Sequence, residues 1–193
     1  MLRTIDLEQL MQKVDSWGWG MASLDPHLAN LLLERFHEVQ THGLLQSATI
    51  TTYSEQAKAI RNDLTYWLEK EHHPTEQKAL EGLDQVLQSL KKYFRISLTH
   101  LECHFAFYPP GHFYKKHIDQ TKDNNKRFFS FVIYLNPDWK ITDGGKLVGY
   151  SEERKLFEVM PLFGEMIIFR SDIPHEVETS FSERRSIAGW FRV

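Results

Sequence analysis

Near residue 96 the spacing of the apolar residues changes, and no other feature of the chain limits its fold as much. Before that point they recur three and four positions apart, as one face of a helix requires. "IDLEQLMQKVDSWGW" places Ile5, Leu7, Leu10, Met11 and Val14 at helical spacing. "DPHLANLLLERFHEVQTHG" offers Asp25 as an N-cap, Pro26 in the first turn and Gly43 as a stop. "PTEQKALEGLDQVLQSLKKYF" carries an apolar stripe of Leu80, Leu83, Val86, Leu87 and Leu90. Between the second and third helices, "SATITTYSEQAKAIRNDLTYWLE" begins with β-branched and polar residues, the signature of a strand and a loop. After residue 96 the chain breaks into short β-rich runs: "ISLTHLECHFAFY", "RFFSFVIYLN", "GGKLVGY", "KLFEVMP", "GEMIIFR" and "RRSIAGWFRV". Turn clusters such as "YPPG", "TKDNNK", "NPDW" and "TDGG" separate them. Short strands at this spacing call for a sandwich, jelly roll or barrel. An aromatic content of 13% points the same way. With no internal repeat or low-complexity linker, the expectation is a single domain over 1–193. Its helical support lies mainly in 1–95 and its β-core mainly in 96–193.

The charge balance removes several classes of function. A net charge of −3 gives no basic excess for nucleic acid or an acidic membrane surface. The single cysteine, Cys103, excludes an intramolecular disulfide and fits a reducing compartment. The N-terminal segment carries Asp6, Glu8 and Asp15, unlike a secretory signal, and no apolar run approaches the ~18 residues of a membrane span. A cytoplasmic protein is expected, acting on neither nucleic acid nor membrane.

Chemistry-bearing residues gather in "HFYKKHIDQ", residues 112–120. His117 and Asp119 stand two apart, so in an extended segment both side chains leave one face. Chance alone yields about 0.5 such triplets from this chain's histidines and aspartates, and the pair by itself decides nothing. Most other histidines lie in polar helical stretches. His100 and His104 flank Cys103 within a strand run and read as structural. His175 differs: it follows the apolar run "GEMIIF" and a proline, where the chain leaves one strand for another. Two imidazoles and one carboxylate occupy one face of an octahedron, the set suited to non-haem Fe(II) oxygen chemistry with a 2-oxo acid. Such a co-substrate needs a cation for its far carboxylate, and Arg184 and Arg185 both open the last strand.

These motifs occur in order. "YPPGHFYKKHID", "FFSFVIYLNPDWK", "DGGKL" and "GEMIIFRSDIPHEVETSFSERRSIAGWF" together resemble the prolyl 4-hydroxylase-type Fe(II)/2-oxoglutarate dioxygenases. The likeness is greatest to the hypoxia-factor prolyl hydroxylase branch and its bacterial members. "IRNDLTYWLE" extends it upstream, so that it covers most of residues 25–193. The fold this implies is mainly β with N-terminal helices: a double-stranded β-helix, or jelly roll, with supporting α-helices. The implied activity is hydroxylation of a prolyl residue in a protein or peptide substrate, with Fe(II), 2-oxoglutarate and O₂ as cofactors and ascorbate as reductant. Succinate and CO₂ are released.

The resemblance also assigns roles. His117, Asp119 and His175 bind the iron. The co-substrate arginine stands six residues before the tryptophan of the last strand, which selects Arg184; Tyr134 joins it on the 2-oxoglutarate carboxylate, and Tyr108 lines the iron pocket. Tyr114 and Trp190 face the substrate, and Asp63 and Arg127 pair to anchor a loop over about residues 48–63. Taken alone, Tyr108 and Tyr134 read as core aromatics, and Asp63 and Arg127 as solvated charges. Ala188 stands where some relatives carry a hydroxyl, and "YPPG" has one proline more than the shorter form. Two other readings stay open: the same chemistry on a free amino acid or other small molecule, and a non-catalytic iron- and 2-oxoglutarate-binding sensor.

Overall fold

The structure is a computed structural model that describes residues 2, 4–48, 61–120, 126–152 and 154–193. Most of the strand and loop expected over residues 48–63 lies outside the described residues.

Three helices form where the periodicity places them. Helix α1 spans Thr4–Trp17, α2 Pro26–Thr41 and α3 Pro74–Phe94. The Asp25 carboxylate accepts a hydrogen bond of 3.0 Å from the Leu28 amide, and Pro26 occupies the first turn of α2, where its missing N–H has no partner to lose. At α3 the N-cap is His73, whose ring Nδ1 accepts from the Thr75 amide. Lys91 and Lys92 sit in the last turn of α3, matching the negative end of its dipole. Arg35 of α2 donates 2.8 Å to Glu76 of α3, a carboxylate with no exposure, which ties the two helices together.

Eleven strands are described. Strand β1 is Trp19–Ser23, β2 Gln46–Ser47, β3 Leu64–Trp67, β4 His100–Tyr108, β5 Tyr114–His117 and β6 Arg127–Tyr134. Strand β7 is Leu147–Ser151, β8 Arg154–Val159, β9 Glu165–Arg170, β10 His175–Val177 and β11 Arg184–Arg192. The larger sheet has seven strands in the order β1-β9-β6-β11-β4-β3-β2, and the smaller has four in the order β5-β10-β7-β8. All pairings are antiparallel, and apart from β2–β3, β3–β4 and β7–β8 the neighbours within each sheet come from distant parts of the chain, as in a jelly roll. The helical periodicity of the first segment did not indicate β1. Gly18, at φ +78, ends α1 in a backbone conformation costly for other residues, and the chain turns directly into a strand pairing Trp19 with Phe169.

Strand alternation divides the core in two. Phe105 and Phe107 of β4, Phe129, Phe131 and Ile133 of β6, and Ile187 and Phe191 of β11 pack against the helices, with Leu32, Phe36, Leu83 and Leu87. The residues between them point the other way. Ala106, Tyr108, Val132, Tyr134, Ile167 and Phe169 meet Leu147, Phe157 and Val177 of the smaller sheet. The helices therefore cover one face of the larger sheet and leave its other face to form an interior with the smaller one. No described helix is long and apolar enough to cross a membrane.

Candidate active site

That interior brings His117, Asp119 and His175 together. Strands β5 and β10 pair antiparallel with His117 directly opposite His175, and the two rings lie 4.2 Å apart. Asp119 follows β5. Its carboxylate stands 3.6 Å from His117 Nε2 and 3.5 Å from His175 Nε2, and one donor atom from each residue falls within 4.8 Å of the others. Each Nδ1 faces a backbone carbonyl, at 2.8 Å from Lys115 and 2.9 Å from Ile173. The ring proton therefore sits on Nδ1, and both Nε2 lone pairs are turned to the same point. Ser130 of β6 donates 2.7 Å to Asp119 Oδ2 and contacts Ser171 Oγ at 2.8 Å.

The electrostatics suit a cation. Desolvation works against the Asp119 carboxylate, but His175, His117 and the Ser130 hydroxyl hold it well below the usual carboxylate range. Burial pushes His175 down to about 4, against the pull of Asp119, so this imidazole is neutral at physiological pH. Imidazole nitrogens and one charged carboxylate converge with no further His, Cys, Asp or Glu ligand among the described residues, a set that fits a ferrous ion with open positions.

Arg184 opens β11 on the same interior face and is 1% exposed. Its Nε donates 2.8 Å to the Gly145 carbonyl and its Nη1 3.1 Å to Ser186 Oγ. Nη2 has no partner among the described residues, nor has the hydroxyl of Tyr134. The guanidinium lies 5.3 Å from the Tyr134 ring and 5.0 Å from that of Tyr108. Burial raises both phenols despite the nearby charge of Arg184, so both remain protonated. A buried guanidinium N–H and a phenol O–H left without acceptors are costly, and one carboxylate would satisfy both. Arg185 projects to the opposite face, toward Phe36 and Phe107, and pairs with Glu183. Strand alternation thus sends the two arginines to opposite faces of the sheet. Gly145 stands so close to Arg184 that a Cβ there would meet its Cδ at 3.0 Å, and its φ of +63 disfavours a side chain as well.

Arg184, Tyr108, His117, Asp119 and His175 line one cavity, with Tyr114 and Trp190 in the same wall. Tyr134 is fully buried beside Arg184 rather than on the wall. Tyr114 stacks on His117 with centroids 3.6 Å apart.

The expected pair of Asp63 with Arg127 is not formed. Asp63 is held in two hydrogen bonds, of 2.6 and 2.8 Å, by Arg61. Arg61 lies two residues away along an extended segment, hence on the same side, and its guanidinium sits 4.7 Å from the Tyr114 ring. Arg127 is instead engaged by Glu102, which also binds Arg192, and it covers the Trp190 ring at 3.5 Å. Sequence reasoning also passed over Ser130, Gly145, Ser186 and the cavity role of His104. Ser130 had a signal: it lies four residues before Tyr134, the same strand face, as a polar residue in an otherwise apolar run.

Residues 103–192 match the family described as the 2OG-Fe(II) oxygenase superfamily. Comparison with curated proteins finds no match. Among solved structures, a Pseudomonas putida prolyl-4-hydroxylase is similar at 31% identity, with 97% of this chain and 99% of that one covered and a TM-score of 0.88. A prolyl hydroxylase from Trichoplax adhaerens, in complex with a hypoxia inducible factor oxygen degradation domain peptide fragment, is 23% identical. There 98% of this chain and 93% of that one are covered, with a TM-score of 0.83. The fold is a double-stranded β-helix with supporting helices.

Proposed function

Since the chain belongs to the prolyl 4-hydroxylase-type 2-oxoglutarate- and Fe(II)-dependent oxygenases, we propose that it hydroxylates a prolyl residue of a protein substrate. It is a 2-oxoglutarate-dependent dioxygenase, and its family implies Fe(II), 2-oxoglutarate and O₂. In our reading His117, Asp119 and His175 hold the metal, and Arg184 with Tyr134 holds the far carboxylate of 2-oxoglutarate. Iron bound there supplies the O₂ activation that converts 2-oxoglutarate to succinate and CO₂ and oxidises a C–H bond.

The chain's own part is orientation and exclusion of water. The carbonyls of Lys115 and Ile173 fix the two imidazoles, and Ser130 fixes the carboxylate. Gly145 and Ser186 aim the Arg184 guanidinium. Tyr114 and Trp190 wall the cavity with rings and keep bulk solvent from the reacting centre.

One observation carries this reading: a single cavity runs from a convergent His-Asp-His trio to a buried arginine with an unsatisfied N–H. The identity to the Pseudomonas putida prolyl-4-hydroxylase, over nearly the full length of both chains, supports proline as the reacting residue. The Trichoplax adhaerens enzyme, alike in fold, holds a peptide fragment, which supports a polypeptide substrate. We assign ascorbate the part of reductant that keeps the iron ferrous.

The test is to incubate the protein with Fe(II), ascorbate, 2-oxoglutarate and cell extract, then search digested peptides for the mass of one added oxygen. The expected result is oxygen gained on proline in one or a few proteins, absent without 2-oxoglutarate. Gain only on small molecules, or none at all, would remove the reading.

A further inference from the structure

Two groups of unpartnered polar atoms among the residues that line the cavity or back it differ in chemistry. Arg184 Nη2, a cationic donor, and Tyr134 Oη, a phenol that donates or accepts, form one, beside the guanidinium charge. The second group consists of His104 Nδ1 and Nε2 with Trp190 Nε1, and no described residue bonds any of them. His104 is 2% exposed and Trp190 7%, so bulk solvent does not satisfy them either. Both residues line the cavity.

Their surroundings say what kind of group is missing. His104 of β4 lies opposite Ala188 of β11 and Trp67 of β3. Ala188 is too small to reach the ring and leaves space in front of it. The imidazole sits 4.9 Å from the Trp67 ring and 5.6 Å from that of Trp190. Trp67 is 47% exposed, so the three rings form a wall from the surface into the cavity. Burial, reinforced by the charge of Arg61, lowers His104 to about 4. Its imidazole is therefore neutral and presents one donor and one acceptor, while the Trp190 indole adds a donor.

A carboxylate brings acceptors alone and would leave the imidazole lone pair unmet. Charges of both signs act on His104, Arg61 and Arg127 against Asp63 and Asp119, so its surroundings favour an ion of neither sign. An amide brings a C=O and an N–H without net charge, and a polypeptide carries one on each side of every residue. Aromatic walls also accept prolyl rings well.

We infer that His104, with Trp190, is a substrate-positioning residue that binds a backbone amide of the polypeptide next to the reacting proline. This rests on the functional reading above and adds the recognised group and the side chains that recognise it.

The test compares His104→Phe, which keeps a ring between Trp67 and Trp190 but removes both nitrogens, with His104→Gln, which restores a donor and an acceptor. Two quantities are measured for each variant and for the wild type. One is 2-oxoglutarate affinity, by titration into Fe(II)-loaded protein under argon. The other is the rate at which prolyl peptides in cell extract gain oxygen. His104→Phe should bind 2-oxoglutarate within about twofold of wild type yet oxidise those peptides at least about tenfold more slowly, with His104→Gln recovering most of the loss. A wild-type peptide rate in His104→Phe would overturn the inference, because the nitrogens would then serve only bound water. A loss of 2-oxoglutarate affinity in either variant equal to its loss of peptide oxidation would overturn it too, by assigning His104 to the co-substrate or to the fold. If wild-type protein oxidises no prolyl peptide, the functional reading falls and takes this inference with it. That result is distinct from an indifferent variant beside an active wild type.

Discussion

Ser130 lies within β6 of the larger sheet and Asp119 just after β5 of the smaller, yet a hydrogen bond of 2.7 Å joins the serine hydroxyl to Asp119 Oδ2. The larger sheet thus orients a carboxylate that the segment after β5 supplies. Ser130→Ala should weaken ferrous iron binding by about 10- to 100-fold, since outer contacts of a ligand commonly carry that much. Anaerobic Fe(II) titration would measure it, and an unchanged affinity would show that the contact orients nothing.

Removing a donor itself should be more severe. Asp119→Ala, His117→Ala and His175→Ala should each abolish 2-oxoglutarate turnover while the far-ultraviolet circular dichroism stays that of the wild type. Turnover in Asp119→Ala at the wild-type rate would end the assignment of the site.

The two arginines at the start of β11 provide an internal control. Arg184→Ala removes the partner proposed for a buried carboxylate, a loss worth about 2–5 kcal/mol, and should raise the 2-oxoglutarate KM by at least about 30-fold. Arg185→Ala alters packing near Phe36 and Phe107 and should lower stability with little change in that KM. Steady-state kinetics at varied 2-oxoglutarate separates the two, and the opposite order would mean the wrong face was chosen.

Asp63→Ala strands the Arg61 guanidinium, which is only 15% exposed. Breaking such a pair from one side costs about 3–5 kcal/mol, so thermal stability should fall. Because Arg61 lies over Tyr114, oxidation of a protein substrate should drop further than the slow uncoupled turnover of 2-oxoglutarate. Arg127→Ala should leave the Arg61–Asp63 pair intact and disturb the Trp190 wall instead, a contrast that a double-mutant cycle would read.

Acid stability should respond to His104. Its pKa is about 4 when folded and about 6.5 in a free chain, so below pH 6.5 the unfolded state takes up the extra proton. The folded state is therefore progressively disfavoured between pH 6.5 and 4, by up to about 3 kcal/mol, and the loss ends below the folded value. In His104→Phe the urea midpoint should fall less steeply with decreasing pH over that window. Parallel pH profiles would show that the ring is already charged or hydrated in the fold.

Local chemistry made part of this architecture readable in advance. Asp25–Pro26 and Pro74 mark helix starts because capping involves neighbours along the chain. The β-rich runs after residue 96 became β4, β6, β7, β8, β9 and β11, and the His-x-Asp pair converges although Asp119 lies in a bend beyond the end of β5. What stayed hidden depends on partners across a sheet. Trp19 closes a run with helical spacing and Gly20–Ser23 carry no local signal, so only the pairing with β9 makes β1 a strand. His104 looked like an ordinary strand histidine, because its unmet nitrogens follow from Trp67 and Ala188 lying opposite. Asp63 drew Arg61 rather than Arg127 because Glu102, distant in sequence, already occupies the latter.

The division of the larger sheet into a helix-facing and a cavity-facing side makes residue parity an address. On β11 the even positions from Arg184 to Trp190 line the cavity, whereas Ile187 and Phe191 pack in the core against the helices. Drift can therefore retune the even positions one at a time and leave the support of the helices undisturbed. A single inserted or deleted residue within the strand would exchange the two sets, turning Phe191 toward the cavity or Arg184 away from it. Within these strands, evolution is free to substitute, and changes in chain length are confined to the turns.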